Sequence, residues 1–143
     1  MNQEVELLFN CHKFCEKYET VLRLLYEDPD LKEWCEHYSV YSRPTEHERI
    51  DILIYKEFMR EAYDMGIVIN NYFDVLKEGG LDEHKVYEPD AEFIAGLTKM
   101  QIIACIAYQF RADHFNNGSL MNHAVADGYM LKLIQGFKEK TGS

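Results

Sequence analysis

The densest group of residues that could do chemistry lies in the last third of the chain, at positions 110–118, where the sequence reads Phe-Arg-Ala-Asp-His-Phe-Asn-Asn-Gly. The planar guanidinium group of Arg111 could bind a carboxylate or a phosphate. His114 could exchange a proton with that anion, because an unperturbed imidazole titrates near neutral pH. With Asp113 between them, Arg111 and His114 would form a small anion pocket.

The same arginine could instead have a structural role. Arg111 follows a strongly apolar segment, and a buried arginine usually has a carboxylate partner. Asp64 and Asp74 lie in two upstream motifs, and Tyr63 should help to hold Asp64 against the core. We therefore expect a partly buried Arg111–Asp64 or Arg111–Asp74 ion pair between helices. This pair is favoured over the anion pocket, with Asp64 ahead of Asp74 as the partner.

Two groups of residues have side chains that could bind a metal. Cys11, Cys15, Cys35 and His37 could form a Cys₃His site, but Cys11 and Cys15 lie on the apolar stripe of one predicted helix, where cysteine is usually a core residue. His123 and Asp127 lie four positions apart, near Asp113 and His114, and a surface ion pair explains that spacing more simply. We predict no metal and no other cofactor.

The chain has none of the sequence motifs of the common enzyme classes. The chain lacks a phosphate-binding loop, a Rossmann fingerprint, a zinc-protease motif and a serine-elbow motif. None of the four cysteines has a histidine partner or a glycine-flanked setting that would favour a nucleophile, and we expect all four to be reduced thiols. The sequence therefore predicts no catalytic residue.

The net charge of the chain restricts the partners that it could bind. The 143 residues carry a formal net charge of -10, from 25 acidic and 15 basic residues. Such a field repels phosphate, so direct binding of nucleic acid or of an anionic membrane is disfavoured. It suits a basic partner, including a protein whose nucleic-acid groove the chain could occupy. Because no basic leader and no apolar run of membrane-spanning length is present, we expect a cytoplasmic protein.

Apolar residues recur at helical spacing along most of the chain. They predict an all-α, compact single domain of about five to seven helices over residues 1–143. A capping box is predicted at Thr45 and Glu48, and another at Thr98 and Gln101. Gly66 should end the third helix, and a turn is predicted at 116–118. The predicted helices cover residues 4–27, 31–38, 45–65, 98–113, 120–126 and 129–138.

Two segments between these helices are less regular. Residues 67–76 are predicted as an apolar connector with one helical turn. Residues 77–90 contain Gly79-Gly80 and a polar run to Pro89, and we expect this longest loop to be mobile. In contrast, residues 102–108 are almost entirely apolar and should form the central buried helix.

Three strings in the second half resemble an uncharacterised bacterial family, a domain of unknown function. They are Tyr-Asp-Met-Gly at 63–66, Phe-Asp at 73–74 and Arg-Ala-Asp-His-Phe-Asn-Asn-Gly at 111–118. Val75 stands where the family usually has tryptophan, and His114 stands where it usually has arginine. The resemblance implies no activity, because the family itself has none assigned.

Three functions are compatible with these features. The favoured one is a non-enzymatic interaction or regulatory protein that binds a partner through tyrosine-rich helical faces; a homo-oligomer would also be compatible. A narrower form is a phage or mobile-element anti-defence protein, for example a CRISPR–Cas inhibitor that blocks a basic nucleic-acid channel in the host cytoplasm. The third is a small enzyme with its anion pocket at Arg111 and His114. The tyrosines that suggest binding are Tyr18, Tyr26, Tyr38, Tyr41, Tyr55, Tyr63 and Tyr72.

Overall fold

The computed structural model describes residues 3–38, 43, 46–115 and 119–141. Within these residues the chain forms nine α-helices and no β-strand. The all-α prediction is confirmed, but the predicted count of five to seven helices is wrong. In chain order the helices are α1 (Gln3–Glu27), α2 (Pro29–His37), α3 (Ile50–Asp64), α4 (Tyr72–Glu78), α5 (Glu83–Tyr87), α6 (Ala91–Ala95), α7 (Lys99–Phe115), α8 (Ser119–Ala126) and α9 (Tyr129–Thr141).

Three helices are additional to the six predicted ranges: α4, where one turn was expected, and α5 and α6, each of five residues. Helices α5 and α6 were not predicted at all. They are too short for an apolar repeat to be visible in the sequence, and side-chain caps hold their first turns instead. Asp82 accepts a hydrogen bond of 2.8 Å from the backbone N–H of His84, and Asp90 accepts one of 2.8 Å from that of Phe93. The segment 77–90, predicted as a loop, therefore contains a helix, whereas its mobility stays a prediction.

The two predicted capping boxes have different outcomes. At the start of α7, Thr98 Oγ1 accepts from the Gln101 N–H at 3.1 Å, and Gln101 Oε1 accepts from the Thr98 N–H at 2.9 Å, which confirms that box. Before α3, Thr45 lies outside the described residues, as does the predicted turn at 116–118. Helix α3 starts only at Ile50, later than predicted, and Glu48, the other residue of the predicted box, accepts a hydrogen bond of 2.8 Å from the Lys56 side chain.

Helix α7 is the centre of the fold, as predicted. Every residue from 102 to 110 is buried, and α7 packs against α4, α8 and α9, while α1 packs on α9 and α3. A run of aromatic rings joins α1, α3 and α7: the ring centroid of Phe58 lies 5.1 Å from Phe14, 5.2 Å from Tyr18 and 5.4 Å from Phe110. Such ring pairs add to the burial of apolar area. They fix α3 beside the end of α7, where the chemistry was predicted.

The turn after α3 also follows the prediction. Gly66 has a φ of 75°, and the Ile67 N–H donates to the Ala62 carbonyl at 3.0 Å. This is the geometry expected where an α-helix ends at a glycine in the left-handed conformation. The connector predicted at 67–76 leads into α4, which has seven residues, ends at Glu78 and is longer than the single turn predicted. In the described part of the chain, no helix combines the length and the apolar character that a membrane crossing requires.

Candidate functional site

The predicted ion pair of Arg111 is not formed. Arg111, Asp64 and Asp74 are all exposed, and among the described residues no salt bridge joins the arginine to either acid. Asp64 instead lies 3.9 Å from Arg60 on its own helix. The reason is helical geometry: Phe110 and Asp113, three residues apart, both face the core, which turns Arg111 outward.

Of the predicted site residues on α3, Tyr63 contacts the end of α7 that carries Arg111. The Tyr63 hydroxyl donates to the Phe110 carbonyl at 3.4 Å, and the two rings meet edge to face at 5.9 Å. Partial burial raises the Tyr63 pKa, and the positive charge of Arg111 opposes that rise. The structure therefore places Tyr63 against the end of α7, whereas neither Asp64 nor Asp74 forms a salt bridge with Arg111 among the described residues.

Asp113 has the structural role that was predicted for Arg111. Its side chain is fully buried, and its Oδ1 accepts a hydrogen bond of 2.6 Å from the backbone N–H of Met121 in the first turn of α8. The carboxylate thus satisfies a free amide at the start of one helix from the end of another. The side chain of His114 lies outside the described residues.

Three of the four cysteines are built into the core, and Cys35 is partly buried. Cys11 and Cys15 are fully buried with their sulfurs 4.0 Å apart, and the hydrogen bond with Cys15, followed by burial, raises the pKa of the Cys11 thiol. Burial raises the pKa of the Cys105 thiol to about 12. Thiols of this kind stay protonated and are poor nucleophiles. No group of three or more His, Cys, Asp or Glu side chains in the described ranges is arranged to hold a metal.

The structure shows a different candidate site, which we name the aromatic cleft. It is a cavity of about 580 Å³ between the C-terminal end of α1, the length of α2 and the start of α3. Buried Leu25, Leu31 and Ile52 supply its apolar floor. Half-buried Trp34 and exposed Tyr38 supply an aromatic wall, and the volume is in the range of small-ligand and side-chain pockets.

The wall is a small aromatic stack. The Trp34 and Tyr38 rings stack at 6.2 Å with 27° between their planes, and Tyr55 meets Trp34 edge to face at 6.1 Å. The ammonium group of Lys56 lies 5.9 Å from the Trp34 ring centroid. The ring of Trp34 is therefore held by neighbours on several sides before any ligand arrives.

A buried asparagine on α8 ties this wall together. Asn122 Oδ1 accepts from the Tyr55 hydroxyl at 2.7 Å, and Asn122 Nδ2 donates to the Tyr38 carbonyl at 2.9 Å. The Cys35 thiol also donates to the Asn122 carbonyl at 3.4 Å. These bonds join the end of α2 to α3 through α8, so the cleft is held by residues distant in the sequence.

Charged groups surround the opening of the cleft. Arg49 forms an ion pair with Asp28 and another, at 2.5 Å, with Asp51. The hydrogen bond from Arg49, followed by that from the Asp30 N–H, lowers the pKa of the Asp28 carboxyl. Glu48 and Lys56, each with 11% of the side chain exposed, form a pair at 2.8 Å. The second oxygen of Glu48, Oε2, is buried without a hydrogen-bond partner among the described residues.

Sequence reasoning missed the aromatic cleft. The available signal was local: Trp34 and Tyr38 lie four residues apart on one short helix, which places both rings on the same face. The Asn122 contacts, by contrast, could not be read from any local pattern.

Comparison of the chain with protein-family models, with curated proteins and with solved structures gave no match. The resemblance to the uncharacterised bacterial family therefore stays a prediction.

Proposed function

We propose that the protein is a non-enzymatic binding protein and that a segment of a partner protein docks in the aromatic cleft. The observation that carries the proposal is the half-buried Trp34 ring, held between Tyr38 and Tyr55 at the wall of a cavity of about 580 Å³. Protein interfaces draw much of their affinity from a few aromatic side chains in such pockets. A ring that is already fixed also loses little conformational entropy on binding.

The charge of the chain favours a basic partner segment. The net charge is -10, and Asp30 and Glu33 present exposed carboxylates at the cleft opening, where Arg43 and Arg49 are the exposed arginines of the lining. Arg49 Nη1 lies 3.8 Å from Asp30 Oδ2, whereas no described basic group forms a salt bridge with Glu33. A lysine or arginine side chain could lay its aliphatic stem along the Trp34 ring and place its cationic end near these carboxylates. A nucleic-acid-binding protein would offer such a segment, and an inhibitor that occupies a basic nucleic-acid channel would be one form of this function.

The structure gives less support to the enzyme alternative. The guanidinium group of Arg111 is exposed, where water and salt weaken its attraction for an anion. The buried thiols of Cys11 and Cys105 have raised pKa values, which disfavours covalent catalysis at either residue.

Selection from a random peptide library displayed on phage, with the full chain immobilised, tests the proposal. We expect enrichment of peptides with arginine or lysine near a hydrophobic residue. A synthetic peptide from that pool should bind the wild-type chain with a Kd of roughly 10 μM, and binding should be weaker at high salt.

Two pairs of variants locate the binding surface. Tyr38 and Phe73 are 58% and 57% exposed, so Tyr38→Ser and Phe73→Ser remove equally exposed rings, of which Tyr38 alone lines the cleft. Likewise Glu33→Lys and Glu36→Lys make the same charge change on α2, but only Glu33 lines the cleft. Tyr38→Ser and Glu33→Lys should each weaken the peptide roughly tenfold. Equal effects within each pair, or no enrichment of basic peptides, would overturn the proposal.

A further inference from the structure

A second cavity, of about 430 Å³, lies between α5, α7 and α8, and we name it the α5–α8 cavity. It shares no lining residue with the aromatic cleft. Its polar side chains come from four stretches of the chain: His84, Tyr87 and Glu88 at α5, Gln109 on α7, His123 on α8 with Asp127 directly after it, and Tyr129 at the start of α9.

Gln109 is the unusual residue of this cavity, because it is polar and only 1% exposed. Its Nε2 donates to the Val86 carbonyl at 2.8 Å and to the Tyr87 carbonyl at 3.0 Å. Both carbonyls belong to the last turn of α5, where a helix leaves its carbonyl groups without partners of its own. Since both amide hydrogens are used, Oε1 is the one hydrogen-bonding atom of this side chain that remains.

That oxygen is left without a partner. Gln109 Oε1 is buried and accepts no hydrogen bond from any described residue. A buried acceptor without a donor is costly, and most such groups in proteins are satisfied by protein, water or ligand. Gln109 lines the α5–α8 cavity, so the residue that carries this unused acceptor is part of the cavity wall.

The surrounding charges specify what kind of donor would bind. Glu88 and Asp127 line the cavity from the residues that follow α5 and α8, and His84 Nε2 lies 3.9 Å from Glu88 Oε2. Burial, then Glu88, then Asp127 raise the pKa of the Tyr129 hydroxyl. His123 and Asp127 do not form the surface ion pair that their spacing predicted, since no salt bridge joins them within the described ranges. Lys132 lies 5.9 Å from the Tyr129 ring centroid but lines a different cavity. The potential inside the α5–α8 cavity therefore favours a positive charge.

We propose that the α5–α8 cavity binds a small organic cation with N–H donors, an alkylammonium or alkylguanidinium group. One N–H would donate to Gln109 Oε1, while Glu88 and Asp127 would balance the charge. The cavity volume of about 430 Å³ suits a group of this size better than a bare metal ion. The cation could be a free amine or the side chain of a lysine or arginine in a bound protein.

Titration with butylguanidinium, followed by NMR of the full-length protein, tests the proposal directly. The side-chain amide signals of Gln109 should shift, with a Kd of roughly 1 mM for so small a ligand. N-butylurea has the same shape without the charge, and butyltrimethylammonium has the charge without N–H donors. Each should bind at least about tenfold more weakly, because each lacks one of the two required features. Equal affinity for butylurea, or no shift at Gln109, would overturn the proposal.

Variants of the exposed acids test the same site without touching the core. Asp127→Asn and Glu88→Gln should each weaken butylguanidinium several-fold, whereas Glu92→Gln, at an exposed acid of α6 outside the cavity, should not. If Glu92→Gln weakens butylguanidinium binding as much as the other two changes, general surface charge explains the binding and the site is rejected. Gln109→Met should abolish the preference for butylguanidinium over butyltrimethylammonium, and its unfolding free energy should be measured in parallel because it also loses the Nε2 bonds.

A capped Ala-Arg-Ala peptide identifies the source of the cation. If the peptide binds at least as tightly as butylguanidinium, the natural ligand is a protein side chain. If the peptide binds much more weakly, the natural ligand is a free amine. Either result supports a cation site. The site is independent of the proposed function, since Glu33→Lys in the aromatic cleft should leave the butylguanidinium Kd unchanged. Failure of one proposal can therefore be told from failure of the other.

Discussion

Tyr55 on α3 donates a hydrogen bond of 2.7 Å to Asn122 Oδ1 on α8, across 67 positions of sequence, and both side chains are buried. The other end of the same amide donates to the Tyr38 carbonyl at 2.9 Å. With one acceptor and one donor used in this way, the Asn122 side chain has a single orientation. Helix α8 thereby holds the aromatic wall of the cleft in place.

Tyr55→Phe should show how much the Tyr55–Asn122 hydrogen bond contributes to the stability of the fold. The ring contacts are kept, but Asn122 Oδ1 loses its donor, and a buried acceptor left without a partner costs about 1–3 kcal/mol. We expect the free energy of unfolding, measured by urea denaturation, to fall by that amount. Tyr26→Phe is the control: Tyr26 is 44% exposed, and the change should stay within about 0.5 kcal/mol. Equal small effects at both positions would show that the Tyr55 bond contributes nothing.

Asp113 and Arg111 should differ sharply in their contribution to stability. Asp113→Ala removes a buried carboxylate that accepts from Met121 N–H at 2.6 Å, and we expect a loss of about 1.5–3 kcal/mol. Arg111→Ala removes an exposed side chain and should change the unfolding free energy by less than about 0.5 kcal/mol. Thermal unfolding of both variants checks this order. A large loss for Arg111→Ala would restore the ion pair that the sequence predicted.

The parts of the fold that the sequence predicted are those set by local chemistry. Apolar spacing located the long helices, Thr98 and Gln101 marked the start of α7, and Gly66 marked the end of α3. Helices α5 and α6 escaped prediction because five residues give no repeat. Their stability comes from caps and from burial of Val86 and Ile94 against the rest of the chain.

The candidate sites were harder to predict, for two physical reasons. The ion pair of Arg111 was predicted from the charge of the side chain and not from its position on the helix. Phe110 and Asp113, three residues apart, both face the core, and Arg111 between them therefore faces outward. The aromatic cleft and Gln109 depend on contacts between distant residues. That Gln109 donates to the end of α5 and leaves Oε1 without a donor follows only from the packing of α5 on α7.

Glu61 should contribute to the acid sensitivity of the fold. Burial raises its pKa, but hydrogen bonds from Lys17 at 2.8 Å and from the Tyr18 hydroxyl at 2.5 Å outweigh that effect, so the pKa lies below the ordinary value for a glutamate. A carboxyl with a lowered folded pKa stabilises the fold above its unfolded pKa, and this stabilisation is lost as the pH falls through the folded value. Unfolding free energies should therefore decline below about pH 4.5.

Glu61→Gln should make that decline shallower, since the glutamine cannot titrate. Glu57→Gln is the matched control, because Glu57 lies on the same helix and is more exposed, with its Oε1 3.7 Å from the Lys17 Nζ. It should leave the slope nearly unchanged. The measurement is the free energy of unfolding in urea at several values between about pH 3 and pH 7, for the wild-type chain and both variants. Identical slopes for the wild-type chain and Glu61→Gln would contradict the assignment.

Gly136 should be needed for the packing of α9 on α6. A Cβ atom at this position would overlap Cγ2 of Ile94, a buried β-branched side chain that has little freedom to move away. Alanine in a helix gains about 1 kcal/mol over glycine, whereas overpacking a core costs about 1–3 kcal/mol, so Gly136→Ala should be net destabilising. Gly96→Ala, also at α6, is the control, because the nearest atom to its added Cβ is the Phe93 carbonyl oxygen at 3.7 Å.

The double variant Gly136→Ala with Ile94→Ala separates a local clash from any general effect of the glycine. Ile94→Ala alone leaves a cavity and should cost about 2–5 kcal/mol. If the clash is the cause, the methyl group added at position 136 enters space that Ile94 has vacated, and the loss in the double variant should be smaller than the sum of the two single losses by at least about 1 kcal/mol. Urea denaturation of the four proteins in the cycle measures this coupling. Additive losses would mean that Gly136 and Ile94 do not meet, and that α6 lies elsewhere on α9.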